Sequence, residues 1–319
     1  MVKIEPISLE RVKSYPLKER SSKVSIDAFG KPWRAGGDLG LWIDSLPKIL
    51  AGKDFKRVLD RLVQATQTGK MIILAMGAHA IKVGLNPVIL DLMERGIIGG
   101  IAMNGAGIVH DAELAMVGHT SEDVSDQLGK GKFGMAEETG KFLNMAIHEG
   151  ARQGMGLGRA VGAMLHEKNF PYNGISLLAR AYELDIPLTV HVAIGTDIIH
   201  VHPSVDGASI GKTSHLDFRV FASLVSKLDQ GVFINLGSAV ILPEVFLKAF
   251  SLVKNLGYDV NRFTTVNMDF VRQYRPAKNV VQRPTQNGGE GYFLVGHHEI
   301  MFPLLAASLI ESLETKNRV

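Results

Sequence analysis

Six short apolar, partly β-branched runs punctuate the chain: MIILAM (71–76), GGIAM (99–103), PLTVHVAI (187–194), GVFINL (231–236), RFTTVNM (262–268) and GYFLV (291–295). Most lead into a Gly- or Pro-containing turn and then a helical period, as in NPVILDLMERG, LPEVFLKAFSLVKNLG and FPLLAASLIESLETK. A strand that does not alternate apolar with polar residues must be covered on both faces. Strands of that kind interleaved with helices predict a doubly wound, mostly parallel α/β sheet with helices on both faces. In such a sheet ligands bind at the carboxyl ends of the strands, near the point where strand order reverses.

The remaining segments fit around this pattern. Residues 1–35 are polar and basic, with Pro6 and Pro16, and read as an irregular arm. From Leu39 two amphipathic helical stretches follow, LGLWIDSLPKILAG and DFKRVLDRLVQATQTG, and helices dominate residues 110–186 apart from SDQLGKGKFGMAEETG. No repeat or linker divides the 319 residues, so one domain over 1–319 is expected, and 46% hydrophobic residues suffice for a large core. The net charge of +3 is dispersed, which gives no nucleic-acid footprint. Absence of cysteine removes disulfides, thiolate metal sites and a Cys nucleophile. No run approaches the roughly 18–20 apolar residues of a membrane span, and the first residues lack a signal-peptide core. A cytoplasmic protein with no membrane partner is the expectation.

Four predicted strands end in small or polar residues: AMGAHAIKVG (75–84), MNGAGIVHD (103–111), HVAIGTDIIHVHP (191–203) and NLGSAVILPE (235–244). Glycine there permits close backbone approach, so that helix N-termini can face an anion. α/β folds also need glycine turns for purely structural reasons, but four on one edge point to a bound dinucleotide or other phosphate. The glycines of GMGLGRAVG (154–162) do not fit the dinucleotide fingerprint G-x-G-x-x-G and follow a helix, so they read as packing residues.

Five of the eleven histidines lie near strand ends: His79, His110, His191, His200 and His202. His191, His200 and His202 with Asp197 would suit a metal-dependent hydrolase or lyase, although nothing in the spacing fixes a complete ligand set and no metal is assigned. Glu244, after Pro243 at a helix start, reads as an ordinary first-turn acid unless it faces the crevice. Thr120-Ser121-Glu122-Asp123 reads as a helix cap with its box partner.

These residues also carry a resemblance. From Met71 to the last helix, the blocks GAHAIKVGLNPVILDLMERGIIGGIAMNGAG, GISLLARAYELDIPLTVHVAIGTDI, DQGVFINLGSAVILPE and HHEIMFPLLAASLIESL resemble the deoxyhypusine synthase family in order. The block PVILDLMERGIIGGIAMNGAGIVHDAELAMVGHTSEDV is also similar to part of the NAD-dependent ornithine cyclodeaminase domain, where a His-Asp-Ile-Glu sequence follows an Asn-containing turn. The resemblance implies a doubly wound NAD-binding fold, a homotetramer, and removal of hydride from an amine-bearing carbon. Matched positions imply NAD contacts by Ala78, His79, Asn104, Gly105, Gly107, Gly237, Ser238, Asn267, Asp269 and His297. The family's catalytic lysine has no counterpart in VVQRPTQNGGEGYF (280–293), and always-protonated Arg283 cannot replace it. An authentic deoxyhypusine synthase is therefore not expected.

The resulting expectation is an NAD-dependent enzyme oxidising a small amine or amino acid. His110 would act as base and Asp111 as its orienter, with Glu244 or Asp197 anchoring the substrate ammonium. The alternatives are the metal-dependent enzyme above and a non-catalytic nucleotide-binding protein.

Overall fold

The structure, a computed structural model, describes residues 3–316. All six apolar runs form strands: β1 (Ile72–Met76), β2 (Gly100–Asn104), β3 (Leu188–His191), β4 (Val232–Leu236), β5 (Thr264–Asp269) and β6 (Glu290–Val295). They make one sheet in the order β3-β2-β1-β4-β5-β6, with every neighbouring pair parallel. The chain builds outward from β1 to β3 and then returns to lay β4 on the other side of β1. Strand order thus reverses between β1 and β4, the place where open α/β sheets of this class form their ligand crevice beyond the strand ends.

The helices in chain order begin with α1 (Leu39–Ser45), α2 (Leu50–Gln67), α3 (His79–Lys82), α4 (Asn86–Glu94) and α5 (Gly105–Val117). Next come α6 (Val124–Leu128), α7 (Glu137–Gln153), α8 (Leu157–Lys168), α9 (Leu177–Glu183) and α10 (Gly207–Val225). The last are α11 (Ile241–Asn255), the short α12 (Tyr274–Pro276) continued by a π-helical turn (Ala277–Gln282), and α13 (His298–Lys316).

Two cores explain why the strands do not alternate. Ile72, Leu74 and Met76 pack with α2, α4, α5, α7 to α9 and α13 on one face. Ile73 and Ala75 pack with α10, α11 and the π turn on the other, where Phe233 stacks on Phe246 at 3.8 Å between ring centroids. Neither side of the central strands meets water, so both sides must be apolar.

Gly156, Gly158 and Gly162 are packing residues, whereas Gly154 stands in open space and ends α7 in the left-handed conformation at φ 70°. A Cβ on Gly158 would collide with the Leu188 carbonyl, and one on Gly162 would stand 2.5 Å from the Leu178 carbonyl. Thr120 differs from its expected role. Asp123 is the N-cap of α6 and accepts from the Asp126 amide, while Thr120 bonds elsewhere. Residues 3–38 contain only two single-turn 3-10 helices, Leu17–Glu19 and Ile26–Ala28, before α1 begins. Among the described residues no helix is long and apolar enough to cross a membrane.

Candidate functional site

At the reversal point β1 runs out into Gly77 and β4 into Gly237. The Gly77 N–H donates to the Leu236 carbonyl at 3.0 Å, and the Gly237 N–H donates to the Met268 carbonyl at 2.9 Å. The backbones are therefore locked side by side past the strand ends. A Cβ on Gly77 would lie 2.7 Å from the Gly237 oxygen. Gly237 has φ 68°, and its Cβ would lie 2.6 Å from Cε1 of His298. Both positions need glycine because the backbone and an imidazole already fill the space.

His298, the first residue of α13, is 2% exposed. Its Nε2 lies 3.2 Å from the Met268 carbonyl, to which it donates. Its Nδ1 is sealed from solvent and has no partner. Phe270 lies 4.5 Å and His79 5.6 Å from the His298 ring, centroid to centroid. Burial lowers the pKa of His298, and the bond to the Met268 carbonyl opposes the shift only in part. The site thus holds an imidazole biased toward neutrality, with one ring nitrogen unused.

A buried amide pair lies beneath. Asn235 Nδ2 donates to Asn267 Oδ1 at 2.6 Å and to the Ser238 carbonyl at 2.9 Å, leaving Asn235 Oδ1 without a partner. Ser238 Oγ accepts from the Leu242 amide in the first turn of α11. Asp269 Oδ1 accepts from the Phe270 amide at 2.8 Å. The structure thus gathers Ala78, His79, Gly237, Ser238, Asn267 and Asp269 at the ends of β1, β4 and β5. His297 stands at their edge, largely exposed, 3.7 Å from Glu299. The inward place expected for His297 belongs to His298.

The β2 elbow is occupied by the protein itself. Asn104 Oδ1 accepts from the Gly107 amide at 3.2 Å and so caps its own helix. The missing Cβ of Gly105 makes room for the Asp197 carboxylate, and that of Gly107 for Met103. Asp197 accepts from the Ala193 and Ala106 amides, and burial raises its pKa. Its carboxylate therefore sits at the N-terminus of α5, where the helix dipole and free amides favour an anion. The expectation that Gly105 and Gly107 shape an open ligand turn is corrected on this point, as is that of Asp197 as a free anchor for an ammonium.

His110 and Asp111 do not form a pair. Successive helical residues do not face each other, and Asp111 turns into the protein. Asp111 Oδ1 accepts from Asn86 Nδ2 and the Leu177 amide, both at 2.9 Å. Its Oδ2 accepts from Ser176 Oγ at 2.6 Å and the Leu178 amide at 3.1 Å. Burial raises the Asp111 pKa while the four donors oppose the rise. This carboxylate holds the start of α9 and orients no histidine. His110 Nδ1 instead lies 2.6 Å from Thr120 Oγ. Burial, with Lys82 as a second cause, lowers the His110 pKa to about 4, which makes it a weak base at neutral pH.

Glu244 is also committed. It is bonded to Lys248, accepts from Asn279 Nδ2 at 2.8 Å and lies 3.4 Å from Arg275, which together hold its pKa down. A substrate ammonium would have to displace two cations.

The histidines considered for metal are likewise dispersed. His191 Nε2 lies 3.0 Å from Thr189 Oγ1, His200 Nδ1 accepts from the Gly195 amide, and His202 packs on Gly140 and bonds Ser204. Among the described residues no three His, Asp or Glu side chains are placed to hold a metal ion.

A cavity of about 620 Å³ lies elsewhere, between α1, α2 and α13. Lys48, Lys53, Asp44, Asp60 and Glu311 line it with mixed charge. Nothing there converges as the strand-end groups do. Sequence reasoning missed Asn235 and Phe270 at the crevice, and Glu113 and Thr120 beside His110; it offered either His297 or His298 at the start of the last helix without deciding between them. For His298 the His-His pair was a signal, but which ring turns inward depends on where α13 begins.

No protein-family model matches the sequence, and no curated protein matches it. Similar folds occur among solved structures. A protein assigned as a deoxyhypusine synthase from Entamoeba histolytica is 12% identical over 88% of this chain and 96% of its own, with a TM-score of 0.53. A conserved protein assigned as LOR/SDH from Methanococcus maripaludis S2 is 17% identical over 92% of this chain and 75% of its own, with a TM-score of 0.52. AgrE, solved with ornithine and NAD+, is 12% identical over 87% of this chain, with a TM-score of 0.51. This chain spans 34% of the AgrE chain. At these identities the likeness establishes the fold, a six-stranded parallel α/β sheet, and nothing finer.

Proposed function

We propose that this protein binds NAD at the β1/β4 crevice and oxidises a small amine or amino acid. The observation that carries the reading is the pair of buried, unpartnered polar atoms at the reversal point, His298 Nδ1 and Asn235 Oδ1. Sealed polar atoms without partners cost folding free energy, so their position at the edge where this fold class takes its ligands argues for a polar ligand. AgrE, a protein of similar fold, is known with ornithine and NAD+, which supports both the cofactor and the substrate class.

Ala78, His79, Gly237, Ser238, Asn267, Asp269 and His298 would hold the dinucleotide. The nicotinamide supplies the hydride acceptor when bound. The protein's part is orientation: Gly77 and Gly237 bring two backbones together, and the His79–Phe270–His298 rings offer an aromatic wall. Asp269, 7% exposed, sets a carboxylate beside that wall. Deoxyhypusine synthesis itself is not proposed. Residues 280–293 contain no lysine, and Arg283 is engaged with Asn279 Oδ1 at 2.7 Å.

Mass spectrometry of the nucleotide released on denaturing freshly purified protein tests the reading. NAD+ or NADH is expected. Release of a different nucleotide would reassign the crevice.

A further inference from the structure

Thr120 follows His110 by ten residues and Glu113 by seven, yet it returns to their side of α5. Gly118 closes the helix in the left-handed conformation at φ 73°, and Ser121 adopts a second left-handed turn at φ 71°. A Cβ on Gly118 would lie 3.0 Å from the Tyr172 ring, so space as well as φ favours glycine at this reversal. His110 and Glu113 are three residues apart and therefore share one face of the helix. Thr120 Oγ sits between them, 2.6 Å from His110 Nδ1 and 2.6 Å from Glu113 Oε2. Glu113 Oε1 accepts from Thr139 Oγ1, on α7, at 3.0 Å.

With Glu113 as a carboxylate, the geometry fixes which atom carries each shared hydrogen. A carboxylate only accepts, and a hydroxyl has a single hydrogen to give. Thr120 therefore donates to Glu113, and the lone pair it turns toward His110 requires a hydrogen on Nδ1. The lone pair of the neutral imidazole then falls on Nε2. That atom has no protein partner among the described residues and is not among the sealed polar atoms.

We propose that Glu113 and Thr120 are positioning residues that lock His110 as the Nδ1–H tautomer, presenting Nε2 as an uncharged hydrogen-bond acceptor for a ligand N–H donor. The identification of that donor with an amine substrate rests on the function proposed above. The tautomer lock does not. Burial of the ring, and the charge of Lys82 after it, oppose protonation, which keeps the acceptor uncharged. Asp111, next in sequence, takes no part because its oxygens are spent on α9.

Long-range ¹H–¹⁵N correlation spectra of the full-length, ¹⁵N-labelled protein at pH 7.5 read the tautomer directly, with His110 assigned by the signal lost in His110→Gln. The wild type is expected to show a protonated Nδ1 and an unprotonated Nε2. Thr120→Val removes the hydroxyl and should lose that signature, whereas Thr120→Ser should keep it. If Thr120→Val fails to fold, the wild-type and Thr120→Ser spectra still decide. A wild-type His110 protonated on Nε2, or a signature unchanged in folded Thr120→Val, would overturn the proposal. Failure to bind NAD with the signature intact would instead overturn the functional reading alone.

Discussion

Gly237 lies against the imidazole of His298, so closely that a Cβ at 237 would stand 2.6 Å from Cε1. One contact joins the end of β4 to the start of α13 across the crevice. Gly237 is also left-handed, at φ 68°, so any side chain there meets a backbone penalty as well as a clash. Gly237→Ala is expected to destabilise the protein by about 2 kcal/mol or more, from conformational strain and overpacking together. Chemical denaturation measures the loss. His298→Ala should relieve it in part, because the double variant removes the obstructing ring.

The Gly105–Asp197 contact makes a matching prediction at the other elbow. Gly105→Ala should be poorly tolerated alone, since its Cβ would collide with the Asp197 carboxylate. Combined with Asp197→Gly it should cost much less. A double-mutant cycle in urea is expected to give a coupling of about 1 kcal/mol or more, and additive effects would place the two residues apart.

Asp111 is expected to matter for folding. Asp111→Ala strands Ser176, Asn86 and the Leu177 and Leu178 amides, and should cost about 3 kcal/mol or more. Thermal melting reads this as a large fall in Tm. Any folded fraction should bind nucleotide as the wild type does, because Asp111 is fully buried and its oxygens are committed to Asn86 and the start of α9.

Acid sensitivity follows from the buried histidines. Burial lowers the His191 pKa to about 3, below the roughly 6.5 of an unfolded histidine. The folded state therefore favours neutral His191. Its contribution is complete above about pH 6.5 and is lost as the pH falls toward 3. Asp217, buried against the Gly158 and Val190 amides, has its pKa pushed up to about 7 and behaves in the opposite sense. Its contribution is complete below about pH 3.9 and is lost as the pH rises through 7. Denaturant midpoints measured from pH 3 to 8 should show a shallower acid loss in His191→Gln than in the wild type. Equal slopes would contradict this account.

The sheet was legible in the sequence because its cause is local. Ile72 to Met76 must satisfy two apolar faces, and a continuous apolar run is the direct record of that demand. The strand-end residues at 77–79 and 237–238 were legible for a related reason, since turns leave glycine and polar residues where strands end, whereas Asn267 and Asp269 were singled out only through the family resemblance. Individual roles were less visible. Gly105 is explained by Asp197, ninety-two positions away, and no local pattern encodes that contact. The His110-Asp111 pair looked like a catalytic couple, yet helical geometry sends adjacent side chains in different directions. His110's true partner, Thr120, arrives only because Gly118 reverses the chain. His297 and His298 were indistinguishable as letters, and only the docking of α13 seals one and exposes the other.

Isothermal titration calorimetry of the purified protein with NAD+, in parallel with His298→Ala, tests the central claim most directly. The account predicts saturable binding by the wild type, competed by NADH, and at least about tenfold weaker in the variant, corresponding to about 1.4 kcal/mol. The absence of saturable heat at millimolar NAD+ and NADH in nucleotide-free wild-type protein would contradict it.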